Sequence, residues 1–333
     1  MESKQSEVLS YLGILAIILF LGFSAFAILD SMFVMMPSTV FGAGGTVTAT
    51  TSVVVGNAAP TVSAVALNNN LDITLTANTT TTVYVNALIT DNNGCADIQN
   101  GTTTILVYRS GYTSSTCLTT SDNRSCYRVT AFTASSTCTG SGTSVNTTSS
   151  VDIWYFADST VPTSTATSTY PAQIWLATVI FKDANNATGS EDTAPGREMN
   201  VTTAINITTS SVNYGTVTAN TNTGATNQVT TSTNAGNSTT TIKVSAQSTL
   251  TKGTDSIATS SQKYATSTFT YGTGDTALSE TATTISGTTM VTPTSTTNVS
   301  RAVFWGITIP AGKATGTYAG VNLFTASYVD VAN

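Results

Sequence analysis

The segment of residues 11–29 contains no charged residue and is almost entirely apolar. A helix of about 20 such residues can span the hydrocarbon core of a bilayer. Lys4 is the only Lys or Arg before this segment, and the next one, Arg109, follows far beyond it. The positive-inside bias therefore predicts a cytoplasmic N-terminus and export of the residues that follow Asp30.

Three fates of this segment remain open. The Ala-Phe-Ala sequence at residues 25–27 fits a signal-peptidase site, and cleavage there would release the chain. The peptide before the segment contains Glu2 and Glu7 and is not basic, and apolar residues continue to Met36, which favours a retained membrane helix. The third fate is the core helix of a pilin-like filament, although no basic-Gly processing site precedes the apolar run.

The composition of the remaining chain predicts an all-β protein. Charged residues make up 8% of the sequence, against about 25% in ordinary soluble proteins. Apolar residues make up 40%, which is too many for a disordered polar chain. Thr and Val, which are abundant, have stiff side chains that fit a pleated surface. We expect solvent-facing strand positions to present hydroxyl groups where other proteins present charges.

Several function classes are excluded by residue types. The net charge is −6 and the sequence contains no basic run, so nucleic-acid binding has no electrostatic basis. His is absent, so the chain contains neither the commonest general base nor the commonest metal ligand. A Ser-His-Asp triad and a His-based zinc site therefore cannot form within the chain. The sequence predicts a protein that is not an enzyme and that needs no cofactor.

The four cysteines lie close together in sequence, which predicts two disulfides in an exported chain. They are Cys95, Cys117, Cys126 and Cys138. Three pairings are possible, and the sequence does not choose between them. A zinc site is the weaker interpretation, because no Cys-x-x-Cys pair is present.

Short apolar segments separated by turn residues predict two tandem immunoglobulin-like or jelly-roll-type β-sandwiches after the N-terminal hydrophobic helix. The predicted parts are that segment (residues 1–37), a linker or donor-type strand (38–60), a first sandwich with two disulfides (61–203) and a second sandwich (204–333). Strands of the first sandwich are predicted at residues 61–67, 71–77, 82–90, 103–109, 126–132, 151–157, 173–182 and 199–208. Strands of the second are predicted at residues 205–212, 228–232, 240–247, 264–271, 299–309 and 317–328.

Three of these segments carry more specific expectations. Residues 82–90 alternate, with Val83, Val85, Ala87 and Ile89 on one face. Residues 173–182 are nearly continuously apolar, which predicts a central strand buried on both faces. The last two strands flank a turn at residues 310–313, which predicts a closing hairpin.

The β-prone strip of residues 46–55 has three interpretations. It is a stalk, a local edge strand, or a strand that is donated to an open sheet edge of a neighbouring subunit. The short length of the strip favours one of the first two.

Several turn and strand motifs resemble those of secreted bacterial and archaeal immunoglobulin-like β-sandwich surface proteins. The segments that carry this resemblance are Phe304-Trp305-Gly306-Ile307-Thr308-Ile309-Pro310, Gly316-Thr317-Tyr318-Ala319-Gly320, Asn234-Ala235-Gly236-Asn237 with Thr241-Ile242-Lys243-Val244, and the turns Asp91-Asn92-Asn93-Gly94 and Asp183-Ala184-Asn185-Asn186. They cover about a third of the chain. The resemblance implies building blocks of surface layers, filaments or adhesins, and it implies no catalytic residues.

Candidate sites are of three kinds. Asn-x-Ser/Thr sequons, which are possible glycosylation sites, begin at Asn78, Asn100, Asn123, Asn146, Asn186, Asn200, Asn206, Asn237 and Asn298. Oxygen ligands for Ca²⁺ could come from Asp91, Asp97, Asp183 and Asp192, although forming turns is the commoner role of Asp in loops, and we predict no metal. Trp154, Trp175 and Trp305 could form a sugar-binding platform, but their apolar neighbours favour packing in the core.

These observations together predict an extracellular structural protein at the cell surface that self-assembles into a filament or coat. Its predicted partners are copies of itself, the membrane if the N-terminal segment is retained, and possible surface glycans. The alternative is a surface-displayed adhesin or carbohydrate-binding module. An exposed aromatic platform or a Ca²⁺ cluster at loop tips would favour this alternative, and a subunit contact made by residues 46–55 would favour assembly.

Overall fold

The structure is a computed structural model that describes residues 48–120, 122–130, 138, 141–161, 168–193 and 195–329. The predicted N-terminal helix (residues 1–37) and residues 38–47 of the predicted linker lie outside the described residues. Among the residues that are described, no helix has the length and hydrophobicity needed to cross a membrane. A compact unit begins at Gly56. Of the residues before it, 48–55 form no helix or strand.

The described chain is all-β with two short helices, as the composition predicts. The strands are β1 (Thr61–Leu67), β2 (Thr80–Thr90), β3 (Thr102–Arg109), β4 (Cys126–Thr130), β5 (Ser144–Trp154), β6 (Trp175–Lys182), β7 (Thr188–Asp192), β8 (Ile205–Ile207), β9 (Thr221–Asn222), β10 (Gln228–Asn234), β11 (Thr240–Ala246), β12 (Leu250–Lys252), β13 (Asp255–Ile257), β14 (Gln262–Ala265), β15 (Thr276–Ala277), β16 (Thr283–Thr284), β17 (Ser300–Ile309) and β18 (Asn322–Tyr328). The helices are α1 (Cys95–Gln99) and α2 (Ser114–Thr119).

Two antiparallel sheets share the first hydrophobic core. One has the strand order β1-β2-β5 and the other β4-β3-β6-β7. Residues of both sheets form a single buried cluster, which contains the predicted inward-facing residues Val83, Val85, Ala87 and Ile89 of β2. The period-2 pattern of this strand therefore predicted the buried face correctly.

The second of these sheets is buried on both faces at its centre. Ile105 and Val107 of β3 point into the shared core, whereas Leu106 and Tyr108 join a smaller cluster with Cys117 of α2 on the opposite face. Strand β6 lies between β3 and β7 in this sheet, and most of its residues are buried. The prediction of a central, doubly buried strand over this segment is confirmed.

The rest of the chain forms a second group of sheets around its own buried cluster, which contains Trp305 of β17. Strands β15-β14-β17-β10-β8 form one sheet, in which β9 also pairs with β17. Strands β16-β11-β18 form another, and β12 and β13 form a separate hairpin. The Thr-rich segment of residues 276–297 contains the short strands β15 and β16 and the buried Met290.

Three sequence-based expectations about strands and their pairing are wrong. Strands β17 and β18 do not form a closing hairpin, because β17 pairs with β10, β14 and β9 while β18 pairs with β11 in the other sheet. Residues 71–77 form no strand, and only Ile73 makes an isolated bridge, to Met199. The segment 199–208 contains only the short strand β8, which pairs with β10 and does not close the first group of sheets.

Candidate metal centre

Three of the four predicted Ca²⁺-ligand candidates meet in the structure. Asp91 follows the last residue of β2, Asp97 lies in α1, and Asp183 follows the last residue of β6. One carboxylate oxygen of each lies within 4.8 Å of one from each of the others. All three residues are buried, with exposed fractions of 1% for Asp91, 6% for Asp97 and 4% for Asp183.

Local turn chemistry places the Asp91 carboxylate. Its Oδ1 accepts a hydrogen bond from the Asn93 backbone N–H at 2.7 Å, and the Gly94 N–H donates to the Asp91 carbonyl at 3.1 Å. Gly94 has φ = +95°, a conformation that glycine adopts at little cost and that lets the chain turn directly into α1. The sequence Asp-Asn-Asn-Gly therefore fixes Asp91 at the strand end.

A second turn places Asp183 opposite it. The Asp183 Oδ1 accepts a hydrogen bond from the Ala187 N–H at 2.8 Å, and the Asn186 N–H donates to the Asp183 carbonyl at 3.1 Å. Asn186 has a φ of 72°, which Asn tolerates better than most residues. This turn and α1 are also joined directly, because the Ala184 N–H donates to the Asp97 carbonyl at 3.2 Å.

Two asparagine side chains cover the carboxylates. Asn185 Nδ2 donates to both carboxylate oxygens of Asp97, at 2.9 and 3.0 Å. Asn57 Nδ2 donates to Asp183 Oδ2 at 3.0 Å, and its own oxygen accepts from Asn185 at 3.3 Å. Sequence reasoning assigned neither residue to a site, although Asn185 lies in the turn predicted at residues 183–186.

The charge of this cluster has no basic counterpart among the described residues. Their ion pairs join Arg109 and Arg124 to Asp158, Lys263 to Asp275, and Lys313 to Asp255. Two unit charges no more than 4.8 Å apart repel by about 3.5 kcal/mol or more at an effective dielectric constant of about 20. A cation bound among the three buried carboxylates would relieve this repulsion.

One oxygen of the cluster also lacks a hydrogen bond. Asp91 Oδ2 is buried and has no hydrogen-bond partner among the described residues. Such atoms are rare in native proteins, because an unsatisfied buried acceptor costs about 1–3 kcal/mol. The cluster thus combines uncompensated negative charge with an unused acceptor, and both are features of an oxygen-ligand cation site.

Asp158 is another buried carboxylate, but its negative charge is balanced by two arginines. Its oxygens accept from Arg109 Nε at 3.2 Å and from Arg124 Nη2 at 2.6 Å. Burial raises the pKa of Asp158, and the two guanidinium groups act against that shift. The Asp91, Asp97 and Asp183 cluster contains no such guanidinium among the described residues.

The fourth candidate lies apart from the cluster. Asp192 ends β7, is exposed, and accepts a hydrogen bond from the Thr178 hydroxyl across the sheet. All four residues were chosen because they are Asp residues in predicted loops. This criterion could not distinguish Asp192 from the other three.

The cysteines form the disulfides Cys95–Cys138 and Cys117–Cys126, one of the three pairings that the sequence left open. Cys95 is the first residue of α1, so this disulfide lies two positions from Asp97. Cys117 and Cys126 join α2 to β4 on the outer face of the second sheet.

The sequon asparagines differ in accessibility. Those that are exposed are Asn78, Asn100, Asn123, Asn146, Asn186, Asn206 and Asn298. Asn200 is half-buried, and its amide donates to the Thr74 hydroxyl at 2.7 Å. Asn237 is 1% exposed and its Nδ2 donates to the Asn200 carbonyl at 3.0 Å, which argues against glycosylation of this residue in the folded protein.

The tryptophans pack in the interior, as predicted. Trp175 and Trp305 have no exposed surface, and Trp154 is half-buried against the first core, where it stacks on Phe156. A shallow cleft of about 390 Å³ lies near Tyr127 and Asp152. None of the three tryptophans lines this cleft, and Trp175 and Trp305 are too deeply buried to contribute to a sugar-binding platform.

Comparison with models of known protein families finds no match, and comparison with curated proteins finds no significant similarity.

Proposed function

We propose that this chain is an extracellular structural protein that self-assembles at the cell surface into a filament or coat, and that its two groups of sheets are tandem immunoglobulin-like β-sandwiches. The observation that carries the proposal is an exposed apolar strip immediately before the compact unit. Val53, Val54 and Val55 are exposed to 87%, 94% and 79%. Three consecutive exposed valines of high β-propensity are suited to burial in another subunit.

Strand β18 is a suitable acceptor for this strip in a second copy. Among the described residues it has a hydrogen-bonded neighbour, β11, on one side only. Leu323 within the strand and Val321 just before it are exposed to 47% and 51%. Addition of an extended segment to such an edge satisfies backbone hydrogen bonds and covers apolar side chains at the same time. Full burial of a valine contributes about 1.5 kcal/mol or more.

Export is supported by two further features. Disulfides persist in oxidising compartments, and all four cysteines are paired. The uncharged segment of residues 11–29 provides the membrane signal or anchor. We also propose that the protein is not an enzyme, because the sequence lacks His and contains no recognisable setting for a nucleophile.

Electron microscopy of the purified full-length chain in detergent tests the proposal. The wild type should form ordered filaments or lattices, and a variant with Val53→Asp, Val54→Asp and Val55→Asp should remain dispersed. A matched control with Leu71→Asp and Val291→Asp also adds charge at exposed apolar positions, 67% and 60% exposed, and should still assemble. Isolated monomers of the wild type at high concentration would overturn the proposal.

A surface-displayed binding module is the second candidate, and the aspartate cluster favours it. The cluster lies at strand ends, where a cation could contact an external ligand. Its carboxylates are nevertheless buried beneath Asn57 and Asn185, which suits a structural ion better than a bridging one. Binding of the dispersed chain to immobilised carbohydrate, without ordered assembly, would favour the binding module.

A further inference from the structure

We propose that Asp91, Asp97 and Asp183 bind one Ca²⁺ ion, which fastens the start of the compact unit to two loops of the first group of sheets. The proposal does not depend on self-assembly. Two independent observations carry it: the convergence of three buried carboxylates, and the buried Asp91 Oδ2 that has no hydrogen-bond partner among the described residues.

The separation of the oxygens suits Ca²⁺. Ca²⁺ binds oxygen at about 2.3–2.6 Å and accepts flexible arrangements of six to eight ligands. Two oxygens on opposite sides of one ion are then about 5 Å apart, and neighbouring ligands are closer. The upper limit of 4.8 Å between the three carboxylates is within this range. Mg²⁺ binds at about 2.0–2.1 Å with strict octahedral geometry and usually keeps several waters, so a cluster of three carboxylates suits it less well.

The charge of the site also favours a cation. Three carboxylates carry a formal charge of −3, and no Lys or Arg forms an ion pair with them in the described part of the chain. The covering groups of Asn57 and Asn185 are neutral amides, and each supplies only a partial positive charge. A divalent ion would neutralise most of the charge and would give Asp91 Oδ2 a partner.

The ion would join segments that are far apart in sequence. Asp91 and Asp97 belong to the loop and helix after β2, and Asp183 begins the loop after β6, which lies in the other sheet. Asn57 links Asp183 to the segment that precedes β1. Asn93 also holds this segment, because its amide donates to the Gly56 carbonyl at 3.1 Å and its oxygen accepts from the Ala58 N–H. We expect occupancy to make residues 56–60 more rigid.

Isothermal titration of CaCl₂ into the EDTA-treated full-length chain in detergent tests the proposal. We expect one Ca²⁺ per chain, a higher melting temperature in CaCl₂, and weaker binding of MgCl₂. Asp91→Asn and Asp183→Asn should weaken Ca²⁺ binding by about tenfold or more, because each removes a charged ligand. Asp192→Asn is the matched control and should bind as the wild type does. Absence of both binding heat and a thermal shift would overturn the proposal.

Thermal melting of the Asp91→Asn variant separates a metal site from a purely turn-forming role. The asparagine oxygen can still accept from the Asn93 N–H, so the turn is retained. If the cluster binds Ca²⁺, the variant should melt at or above the wild-type temperature in EDTA, since one repelling charge is gone, and below it in CaCl₂. The same difference from wild type in both solutions would contradict the proposal.

Discussion

Asn57 donates a hydrogen bond from its side-chain amide to Oδ2 of Asp183, across 3.0 Å in space and 126 positions in sequence. The bond connects the segment just before β1 to the loop that follows β6. A hydrogen bond to a charged group contributes about 1.5–3 kcal/mol, and less where one partner is exposed to water, as Asn57 is. The contact therefore helps to fix the segment just before β1, where the chain enters its first sheet.

Replacement of Asn57 by Ala should release this segment. We expect faster backbone hydrogen exchange in peptides that cover residues 56–60, with little change in the strands of the first core, because only the local contact is lost. Asn92→Ala alters an exposed side chain in the neighbouring loop and serves as the control. Unchanged exchange in the Asn57→Ala variant would show that the remaining contacts of Asn93 hold the segment without it.

Trp305 should be the most sensitive position of the second core. It has no exposed surface, packs against Tyr264 and Phe324, and donates from its indole N–H to the Thr230 hydroxyl at 2.9 Å. Trp305→Ala should lower the free energy of unfolding by about 3–5 kcal/mol. Thr230→Val should cost about 1–3 kcal/mol, because it leaves the buried indole N–H without an acceptor.

Urea unfolding of the full-length chain, followed by circular dichroism, measures both effects. The control is Val291→Ala, which removes methyl groups from a side chain that is 60% exposed. This control should change the free energy of unfolding by less than about 0.5 kcal/mol. A Trp305→Ala variant as stable as this control would contradict the assignment of Trp305 to the core.

Local patterns predicted burial better than they predicted pairing. The alternation in residues 82–90 specified which side chains of β2 face the core, because the side-chain period of a strand depends only on its own backbone. The segments around residues 310–313 also alternate, but alternation does not identify a strand's hydrogen-bonding partner. Strands β17 and β18 lie in different sheets, so the short connection between them crosses from one sheet to the other.

The candidate site shows the same limit. The sequence placed Asp91 and Asp183 in turns at strand ends, and the structure confirms both turns. The ends of β2 and β6 meet because the two sheets pack against each other. No local sequence pattern records this packing. Asp192 satisfied the same sequence criterion and lies on β7, outside the cluster. Asn57 was missed because its role depends entirely on a contact distant in sequence.

The two disulfides should differ in their contributions to stability. Cys95–Cys138 closes a loop of 43 positions, within which Cys117–Cys126 closes one of 9. The chain-entropy model gives about 4 kcal/mol for the longer loop and about 2.5 kcal/mol for the shorter one. We therefore expect the double variant Cys95→Ser, Cys138→Ser to unfold at a lower urea concentration than Cys117→Ser, Cys126→Ser. The opposite order would show that the packing of α2 against β3 and β4 outweighs loop entropy.

The hairpin of β12 and β13 should weaken in acid through Asp255. Hydrogen bonds from Lys313, at 2.8 Å, from the Tyr318 hydroxyl and from the Ala314 N–H hold the pKa of this carboxyl well below its usual value of 3.8. Because the folded state lowers this pKa, the unfolded state binds the proton more readily. The stabilisation is therefore complete above about pH 5, and it declines as the pH falls through 3.8 toward the lower folded-state value.

Thermal melts of the wild type and of Asp255→Asn between about pH 2 and pH 6 measure this contribution. The difference between the two melting temperatures should be largest near pH 6 and should shrink steadily below about pH 4, because protonated Asp255 resembles the amide. Other carboxylates titrate in both proteins, so their effects cancel in the difference. A difference that stays constant across this range would mean that the partners of Asp255 do not bind its charged form preferentially.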